Sequence, residues 1–253
     1  MAERLFIVTG SSRGMGHAMV EQLLGAGTLV IGIARQASDG LRRLAESRGA
    51  RLEQWQLDLA HPEAAAARLQ AWLGEQHAGG FESATLINNA ALLNRVGPVE
   101  ACDPAELASA LRVSLEAPML LTAAFLGATR GWPGARRVLN ISSGLGRRAM
   151  AGSAGYCAAK AGLDHFTRAV ALDEARHAHG ARLVALAPGV VDTDMQLQLR
   201  SSAPEGFPDL GNFVALKDGG QLASATDAAA RVLAYLQRAD FGTQPVVDIR
   251  DPA

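Results

Sequence analysis

The chain has few cysteines and few charged residues, and both shortages narrow what the protein can be. Its 253 residues include two cysteines, Cys102 and Cys157, which form neither a CxxC pair nor a cluster with histidine. We therefore expect two reduced thiols, no disulfide framework and no bound metal. Charged residues make up 19% of the chain, which is below the roughly 25% that is usual for soluble domains.

The chain also lacks a long basic run, and its formal net charge is -1. Binding to phosphate backbones needs a concentrated positive surface, so we expect no nucleic-acid partner. Met1–Thr9 lacks the basic-then-apolar layout of a signal peptide, and we expect no apolar segment to approach the roughly 20 residues that cross a bilayer. These features predict a cytoplasmic protein with no membrane partner.

Hydrophobic residues make up 49% of the chain, and they occur in short runs that alternate with longer helical stretches. Strands are predicted over 5–8, 29–34, 52–57, 84–87, 137–142, 181–186 and 245–249. Helices are predicted over 17–25, 41–48, 62–76, 104–130 (one or two, with Pro118 as a kink or a close-packing point), 154–177 and 227–237. Strands that are apolar on both faces and alternate with helices predict an α/β fold with a parallel sheet. We expect a single doubly wound Rossmann-like domain over 1–253, with a mostly seven-stranded parallel sheet flanked by helices.

One segment, 196–222, looks irregular because it contains Pro204, Pro208 and several glycines. It is longer than an ordinary connection between secondary-structure elements, and long connections often cover binding sites. We predict that it forms a lid over the substrate, with a passive surface excursion as the alternative.

A glycine-rich turn follows the first predicted strand and opens the first predicted helix, over Thr9–Gly16. Glycines at positions 10, 14 and 16 allow a tight turn in which backbone N–H groups approach a pyrophosphate. The motif in this strand–turn–helix context predicts a dinucleotide-binding site.

Tyr156 and Lys160 lie four residues apart on a predicted helix and so share a face. An ammonium beside a phenol favours the phenolate, as does an oxidised nicotinamide nearby, and we expect the two together to pull the Tyr156 pKa below its usual value of about 10. Tyr156 can then exchange a proton with a carbonyl or alcohol oxygen. Ser143 or its neighbour Ser142, at the end of the fifth predicted strand, can hold and polarise that oxygen.

These motifs together resemble the short-chain dehydrogenase/reductase family, and the resemblance covers nearly the whole chain. The further motifs that carry it are Asp58, Asn88-Asn89-Ala90 and Pro188-Gly189, each in the order of the family. The resemblance implies an oxidoreductase in which a nicotinamide cofactor donates hydride. It also favours Ser143 over Ser142, because the spacing to Tyr156 matches the family.

The resemblance implies roles for many residues around the cofactor. Asp58 would contact the adenine, with Leu59 nearby, Asn89-Ala90 would pass the adenosine ribose, and Thr193 would bind the nicotinamide carboxamide. The full set of expected cofactor contacts is Gly10, Ser12, Arg13, Gly14, Met15, Gly16, Ala34, Arg35, Asp58, Leu59, Asn89, Ala90, Tyr156, Lys160, Pro188, Gly189, Val191 and Thr193.

The end of the second predicted strand indicates which cofactor binds. An acidic residue there would bind the ribose hydroxyls of NAD, but this chain has Ala34-Arg35. A guanidinium is suited to a 2′-phosphate, and Arg13 in the glycine turn can reach the same group. The sequence therefore predicts NADP(H), with two merely solvated arginines as the alternative.

Two positions depart from the family pattern. Ser114 stands where the family usually has an asparagine that holds a proton-relay water, and we count it with the catalytic group. Ala91 stands where the family usually has a glycine, in Asn88-Asn89-Ala90-Ala91. Both departures leave open a non-catalytic NADP(H)-binding regulator.

The segment 187–196 and the C-terminal tail resemble the sepiapterin reductase and benzil reductase branch of the family. That resemblance implies that Asp248 anchors a substrate such as a pterin, with a local backbone role as the alternative. We expect NADPH-dependent reduction of a vicinal dicarbonyl, either a diketone or a pterin side chain, in which Ser143 and Tyr156 also contact the substrate. A broad-specificity ketone reductase or alcohol dehydrogenase is the second possibility.

Family members usually pair through helices corresponding to 104–130 and 154–177, which implies a homodimer or homotetramer.

Overall fold

The computed structural model describes residues 3–251, so the ends of the expected domain 1–253 and the start of Met1–Thr9 lie outside the described residues. All of its named strands form one parallel sheet in the order β3-β2-β1-β4-β5-β6-β7. The strands are β1 (Glu3–Thr9), β2 (Thr28–Ala34), β3 (Arg51–Gln56), β4 (Phe81–Asn88), β5 (Ala135–Ile141), β6 (Arg182–Ala187) and β7 (Val246–Asp248). The predicted doubly wound α/β fold with a seven-stranded parallel sheet is confirmed.

Helices connect the strands and cover both faces of the sheet. They are α1 (Gly14–Leu23), α2 (Asp39–Ser47), α3 (Pro62–Gly74), α4 (Pro104–Leu111), α5 (Ala117–Ala128), α6 (Ala154–Glu174), α7 (Asp194–Arg200), α8 (Leu210–Asp218) and α9 (Ala225–Leu236). The last of these begins after Ser224, whose hydroxyl accepts the Asp227 N–H and so caps the helix.

The alternating direction of side chains along β1 explains why the sheet needs helices on both faces. Leu5 and Ile7 pack into a core cluster shared with α3, α5 and α6, whereas Phe6 and Val8 pack into a second cluster shared with α1, α2 and α9. Each of these four side chains is at most 2% exposed. A strand buried on both faces reads as a continuous apolar run, which is the pattern that the sequence shows.

The predicted helix over 104–130 has its irregular turn before Pro118 and not at it. A π-helical turn over Arg112–Glu116 separates α4 from α5, and Pro118 follows in the first turn of α5. The backbone keeps helical φ and ψ angles through Arg112, Glu116 and Ala117, so Pro118 removes one N–H from a continuous helix directly after its π-helical turn.

The same segment corrects the expectation about apolar length. Pro104–Ala128 is long and apolar enough to cross a membrane by length and composition, although half of its most apolar window is buried inside the protein. Ala117, Leu121 and Phe125 are completely buried in the core cluster beneath the sheet, which accounts for the apolar composition of α5.

The segment 196–222 is largely helical, so its irregular appearance was misleading. It contains most of α7, a 3₁₀ turn over Pro204–Gly206, and α8. The prolines and glycines that suggested a loop lie in and around short connections between these helices. Asp192, just before α7, forms an ion pair with Lys217 on α8 at 2.6 Å, which ties α8 to the loop that precedes the segment.

The sheet order places a crevice where the fold can bind a ligand. β1 and β4 are neighbours, and the chain winds outward from them in opposite directions. In open parallel sheets the carboxyl ends of the strands form a crevice at this switch point. The residues that follow β1, β4, β5 and β6 therefore converge there.

Candidate active site

A cavity of about 500 Å³ occupies the carboxyl ends of the strands. Most of the residues that the sequence predicts for the site line this cavity. They are Gly10, Ser12, Arg13, Gly14, Met15, Gly16, Ala34, Arg35, Asp58, Leu59, Asn89, Ala90, Ser143, Tyr156, Lys160, Pro188, Gly189, Val191 and Thr193. Two predicted residues, Ser114 and Asp248, are not among the lining residues.

The glycine turn is shaped by backbone geometry that a side chain would prevent. Gly10 and Gly14 have φ angles of +69° and +56°, in the left-handed region that favours glycine. A Cβ on Gly16 would lie 2.2 Å from the Gly10 carbonyl oxygen, so only glycine fits. The turn leads into the N-terminus of α1, whose free N–H groups suit an anion. The residues present therefore fit the pyrophosphate of a dinucleotide.

Asn89 fastens the β4 side of the crevice to the glycine turn. Its side-chain amide donates to the Thr9 carbonyl oxygen at 2.9 Å, and the Thr9 hydroxyl accepts the backbone N–H groups of Asn89 and Ala90. These bonds fix the distance between the ends of β1 and β4. They give Asn89 a structural task that is separate from its expected contact with the ribose.

The two arginines that were expected to bind a 2′-phosphate differ in their contacts. Arg35 is exposed at the end of β2 and lines the cavity beside Ala34. Arg13 is also exposed, but its guanidinium forms an ion pair with Asp194 at 2.8 Å. Asp194 begins α7, so this ion pair joins the glycine turn to the segment that was predicted to be a lid.

Tyr156, Lys160 and Ser143 meet on the wall of the cavity. Tyr156 and Lys160 lie in the first two turns of α6 and are 9% and 2% exposed, and the Lys160 Nζ lies 5.6 Å from the centre of the Tyr156 ring. Lys160 donates a hydrogen bond to the Ile141 carbonyl oxygen at 2.8 Å. Ser143 accepts the Leu145 N–H at 3.1 Å, which leaves its hydroxyl proton free to point towards Tyr156 or a ligand.

Burial determines the proton affinities of this group. It raises the pKa of Tyr156 to about 12, although a hydrogen bond with Ser143 acts in the opposite direction. Burial also lowers the pKa of Lys160 to about 8, and the nearby Asp164 carboxylate opposes that change. The pKa of Tyr156 therefore lies above its usual value and not below it, because the loss of water around the phenol dominates. The phenol keeps its proton at neutral pH, as a proton donor must.

The structure distinguishes the two candidate serines. The buried Ser142 hydroxyl donates to the Asp164 carboxylate, which is also buried, on α6. Ser143 has no such carboxylate partner, and its hydroxyl acts to lower the pKa of Tyr156. This arrangement supports the choice of Ser143 as the residue that faces a substrate oxygen.

Ser114 lies behind the cavity wall and not on it. It is completely buried in the π-helical turn, where its hydroxyl accepts the Leu92 N–H at 2.9 Å and donates to the Leu92 carbonyl oxygen at 3.2 Å. Leu92 lines the cavity. Ser114 therefore positions the loop after β4, and its catalytic role stays a prediction.

Asp248 points its carboxylate at two arginines. Arg250 donates to it through Nε and Nη2 at 2.8 and 2.7 Å, and Arg147 donates through Nη2 at 3.3 Å. These guanidinium groups, with Arg250 contributing most, hold the Asp248 pKa below its usual value. Of these three residues only Arg250 lines the cavity, and sequence reasoning missed it. Its position after the last parallel strand was the available signal.

Sequence reasoning also missed the apolar part of the cavity wall. Six apolar side chains line the end of the cavity beyond Tyr156: Leu93, Leu145, Met150, Met195, Leu199 and Phe213. They come from four separate stretches of the chain, so no local pattern could have grouped them. Phe213 packs on the fully buried Phe207, with ring centres 5.4 Å apart.

Comparison with known proteins gives the same assignment along the whole chain. The profile of the short chain dehydrogenase family matches residues 4–204. A benzil reductase, (S)-benzoin forming, from Bacillus cereus is 36% identical over 246 residues, which cover 97% of this chain and 99% of the relative. A sepiapterin reductase from Meriones unguiculatus is 33% identical over 97% of this chain and 95% of its own length.

A solved structure extends the likeness to three dimensions. A metagenomic short-chain oxidoreductase in complex with NADP superimposes with a TM-score of 0.73 at 26% identity, covering 98% of this chain and 95% of that chain. The family to which these relatives belong uses nicotinamide cofactors, and the glycine turn described above fits such a group. The chain belongs to the short chain dehydrogenase family and is an oxidoreductase of that family.

Proposed function

We propose that the protein reduces a vicinal dicarbonyl with apolar substituents to a hydroxyketone, with NADPH as the hydride donor. The observation that carries this proposal is the shared cavity. It holds a buried, protonated Tyr156 beside Ser143 at one end of a glycine-built dinucleotide cradle. An acid and an oxygen-binding hydroxyl beside a hydride donor are the groups that carbonyl reduction needs.

The preference for NADPH rests on charge at the end of β2. Arg35 is exposed beside Ala34 at the cavity wall, and Arg13 lies in the glycine turn. A guanidinium pairs well with a phosphate and does not accept hydrogen bonds from ribose hydroxyls. Arg13 would exchange its ion pair with Asp194 for the phosphate, so we assign the larger share of the preference to Arg35.

The proposed mechanism assigns one task to each residue. Ser143 donates a hydrogen bond to the oxygen of the carbonyl that is reduced, since the Leu145 N–H already occupies a lone pair of its hydroxyl. Tyr156 donates its proton to the same oxygen as negative charge develops there. Lys160, held by the Ile141 carbonyl, keeps an ammonium near the Tyr156 ring and stabilises the phenolate that remains. Bound NADPH supplies the hydride.

The substrate class follows from the apolar end of the cavity. Leu93, Met150 and Phe213 are typical of a wall that accepts aryl or alkyl substituents. A pterin instead presents several N–H donors, and a carboxylate is the group that would accept them. The Asp248 carboxylate is already paired with Arg250 and Arg147, so we favour an apolar diketone over a pterin. The name of the Bacillus cereus relative, benzil reductase, supports this choice.

The proposal is tested by measuring NADPH oxidation by the purified protein with benzil, sepiapterin and acetophenone, and by identifying the products. We expect turnover with benzil to give benzoin, with a higher kcat/KM than for the other two compounds. A higher kcat/KM for sepiapterin would contradict the substrate class, and equal values for acetophenone would favour a broad ketone reductase. Tight NADPH binding without turnover of any carbonyl would favour a regulator and contradict the proposal.

Three further features belong to this proposal. We propose that the enzyme acts in the cytoplasm, that it assembles as a homodimer or homotetramer, and that 196–222 serves as the substrate lid. Gln196, Leu199 and Phe213 from that segment line the cavity, which supports the last point. Light scattering on the purified protein would measure the oligomeric state, and a monomer at working concentration would contradict the proposed homodimer or homotetramer.

A further inference from the structure

We infer that Arg250 determines specificity for vicinal dicarbonyls by donating hydrogen bonds to the oxygen on the carbon beside the one that is reduced. The inference rests on the proposed function, since it names how the same site recognises its substrate. It assigns the recognition to a cation that no sequence motif marked, in place of the Asp248 carboxylate.

The position of Arg250 is the first argument. Its guanidinium Nη2 lies 3.9 Å from the place that a Cβ would take on Gly144, the residue after Ser143. Its Cδ lies 3.8 Å from the corresponding place on Gly189, in the loop after β6. Arg250 therefore spans the loops that follow β5 and β6, on the cavity wall beside the serine that faces the reacting oxygen.

The free donors of Arg250 are the second argument. Asp248 accepts from Nε and from one Nη2 proton, and no hydrogen bond within the described residues 3–251 uses Nη1. The remaining N–H groups of the planar guanidinium are thus available to an oxygen ligand. The side chain of Arg250 is 60% exposed while that of Asp248 is 10% exposed, so a ligand in the cavity can reach the arginine more readily.

The fixed orientation of Arg250 is the third argument. The two-point contact with Asp248 holds the guanidinium plane, and Arg147 holds Asp248 from the other side at 3.3 Å. Side chains held in this way lose less conformational entropy when they bind a ligand. Asp248 is therefore a positioning residue for Arg250.

The balance of charge indicates an uncharged ligand oxygen. Asp248 lies between Arg147 and Arg250, and the Asp164 carboxylate lies 3.9 Å from the other side of Arg147. Two guanidinium groups thus face two carboxyl groups, so the charges in contact with Arg250 are balanced. The exposed Arg148 and a set of apolar side chains make up the rest of this end of the cavity. A second carbonyl oxygen, on the carbon bonded to the reacting carbon, suits the free Arg250 donors without adding a buried charge.

The experiment compares benzil with deoxybenzoin, which has the same skeleton but a methylene in place of one carbonyl. Arg250→Met and Arg250→Lys are assayed for kcat/KM on both ketones with NADPH. We expect Arg250→Met to lower the ratio of kcat/KM for benzil over deoxybenzoin by about 10- to 100-fold, which is the usual loss for hydrogen bonds from a charged donor. Arg250→Lys keeps the charge but loses the planar fork, so it should recover part of the ratio.

Arg238→Met is the matched control. Arg238 forms the same two-point contact with the residue two positions later, at 2.8 and 2.7 Å to Asp240, but it does not line the cavity. The control should keep the wild-type ratio. Thermal unfolding and NADPH affinity of each variant show whether the fold and the cofactor site are intact.

The outcomes separate the inference from the proposed function. If the wild type reduces both ketones and Arg250→Met leaves the ratio of kcat/KM for benzil over deoxybenzoin unchanged, Arg250 does not bind the second oxygen. In that case the inference fails while the proposed function stands. A fall in the ratio for Arg238→Met as large as that for Arg250→Met would also overturn it. If the wild type consumes no NADPH with benzil, the proposed function itself fails.

Discussion

The two ends of the cavity are built in different ways. At the dinucleotide end the backbone supplies the shape, through the left-handed conformations of Gly10 and Gly14 and the close approach of Gly16 to Gly10. At the substrate end side chains supply it, through Arg250 and apolar residues from α7, α8 and the loops after β4 and β5. Backbone shape tolerates one residue type, whereas a wall of side chains can be remodelled by substitution. The difference explains how one fold can keep its cofactor and change its substrate.

Among substitutions at the dinucleotide end, the largest effect is expected where the backbone is crowded. Gly16→Ala places a Cβ 2.2 Å from the Gly10 carbonyl oxygen and should distort the turn. Overpacking of this kind costs up to about 3 kcal/mol, so we expect the dissociation constant for NADPH to rise by about 100-fold. Fluorescence titration measures it. Gly25→Ala is the control, since a Cβ there meets nothing within 4 Å. Equal NADPH affinity in the two variants would show that the backbone of the glycine turn does not shape the dinucleotide end of the cavity.

A smaller effect is expected at Arg35, where the dinucleotide end uses a side chain. Arg35→Asp removes the cation beside the expected 2′-phosphate and adds a repelling charge. We expect the ratio of kcat/KM with NADPH to that with NADH to fall by about 30-fold, in line with the loss of charged hydrogen bonds. Arg43→Asp, an exposed charge reversal on α2 that does not line the cavity, should leave the ratio unchanged. An unchanged ratio in Arg35→Asp would show that the arginine is only solvated.

The smallest effect at neutral pH comes from the titration of Lys160. Its pKa is about 8, so the ammonium that supports Tyr156 is present below that pH and is lost above it. Tyr156, with a pKa of about 12, keeps its proton throughout this range. We expect kcat/KM for benzil reduction to be nearly flat below pH 7 and to fall by up to about tenfold per pH unit above pH 8. A profile that rises between pH 8 and pH 10 would contradict the role of the ammonium.

The sequence could predict the features that depend on local patterns, and these include most of the dinucleotide end of the cavity. The sheet and the glycine turn were predictable because they depend on local patterns: runs such as 5–8 that are apolar on both faces, and glycines at fixed spacing after a strand. Tyr156 and Lys160 were predictable as a pair for the same reason, since four residues make one helical turn.

The features that the sequence did not predict depend on packing between distant parts of the chain. Whether Asp248 or Arg250 faces the cavity depends on an ion pair with Arg147, which lies about a hundred residues earlier in the chain. The pKa of Tyr156 depends on how completely the folded protein excludes water, which the presence of Lys160 does not reveal. The helices α7 and α8 were missed because prolines and glycines between them resemble those of a loop.

The central claim is that Tyr156 gives its proton to the reduced carbonyl, and the two tyrosines of the chain allow a direct test. Single-turnover reduction of benzil is measured with saturating NADPH in Tyr156→Phe and in Tyr235→Phe, whose tyrosine packs on Phe241 away from the cavity. We expect Tyr156→Phe to slow the reaction by about 1,000-fold, as for loss of a general acid, with NADPH affinity changed by no more than a few-fold. Tyr235→Phe should react like the wild type. A Tyr156→Phe variant that reduces benzil at the wild-type rate would contradict the account.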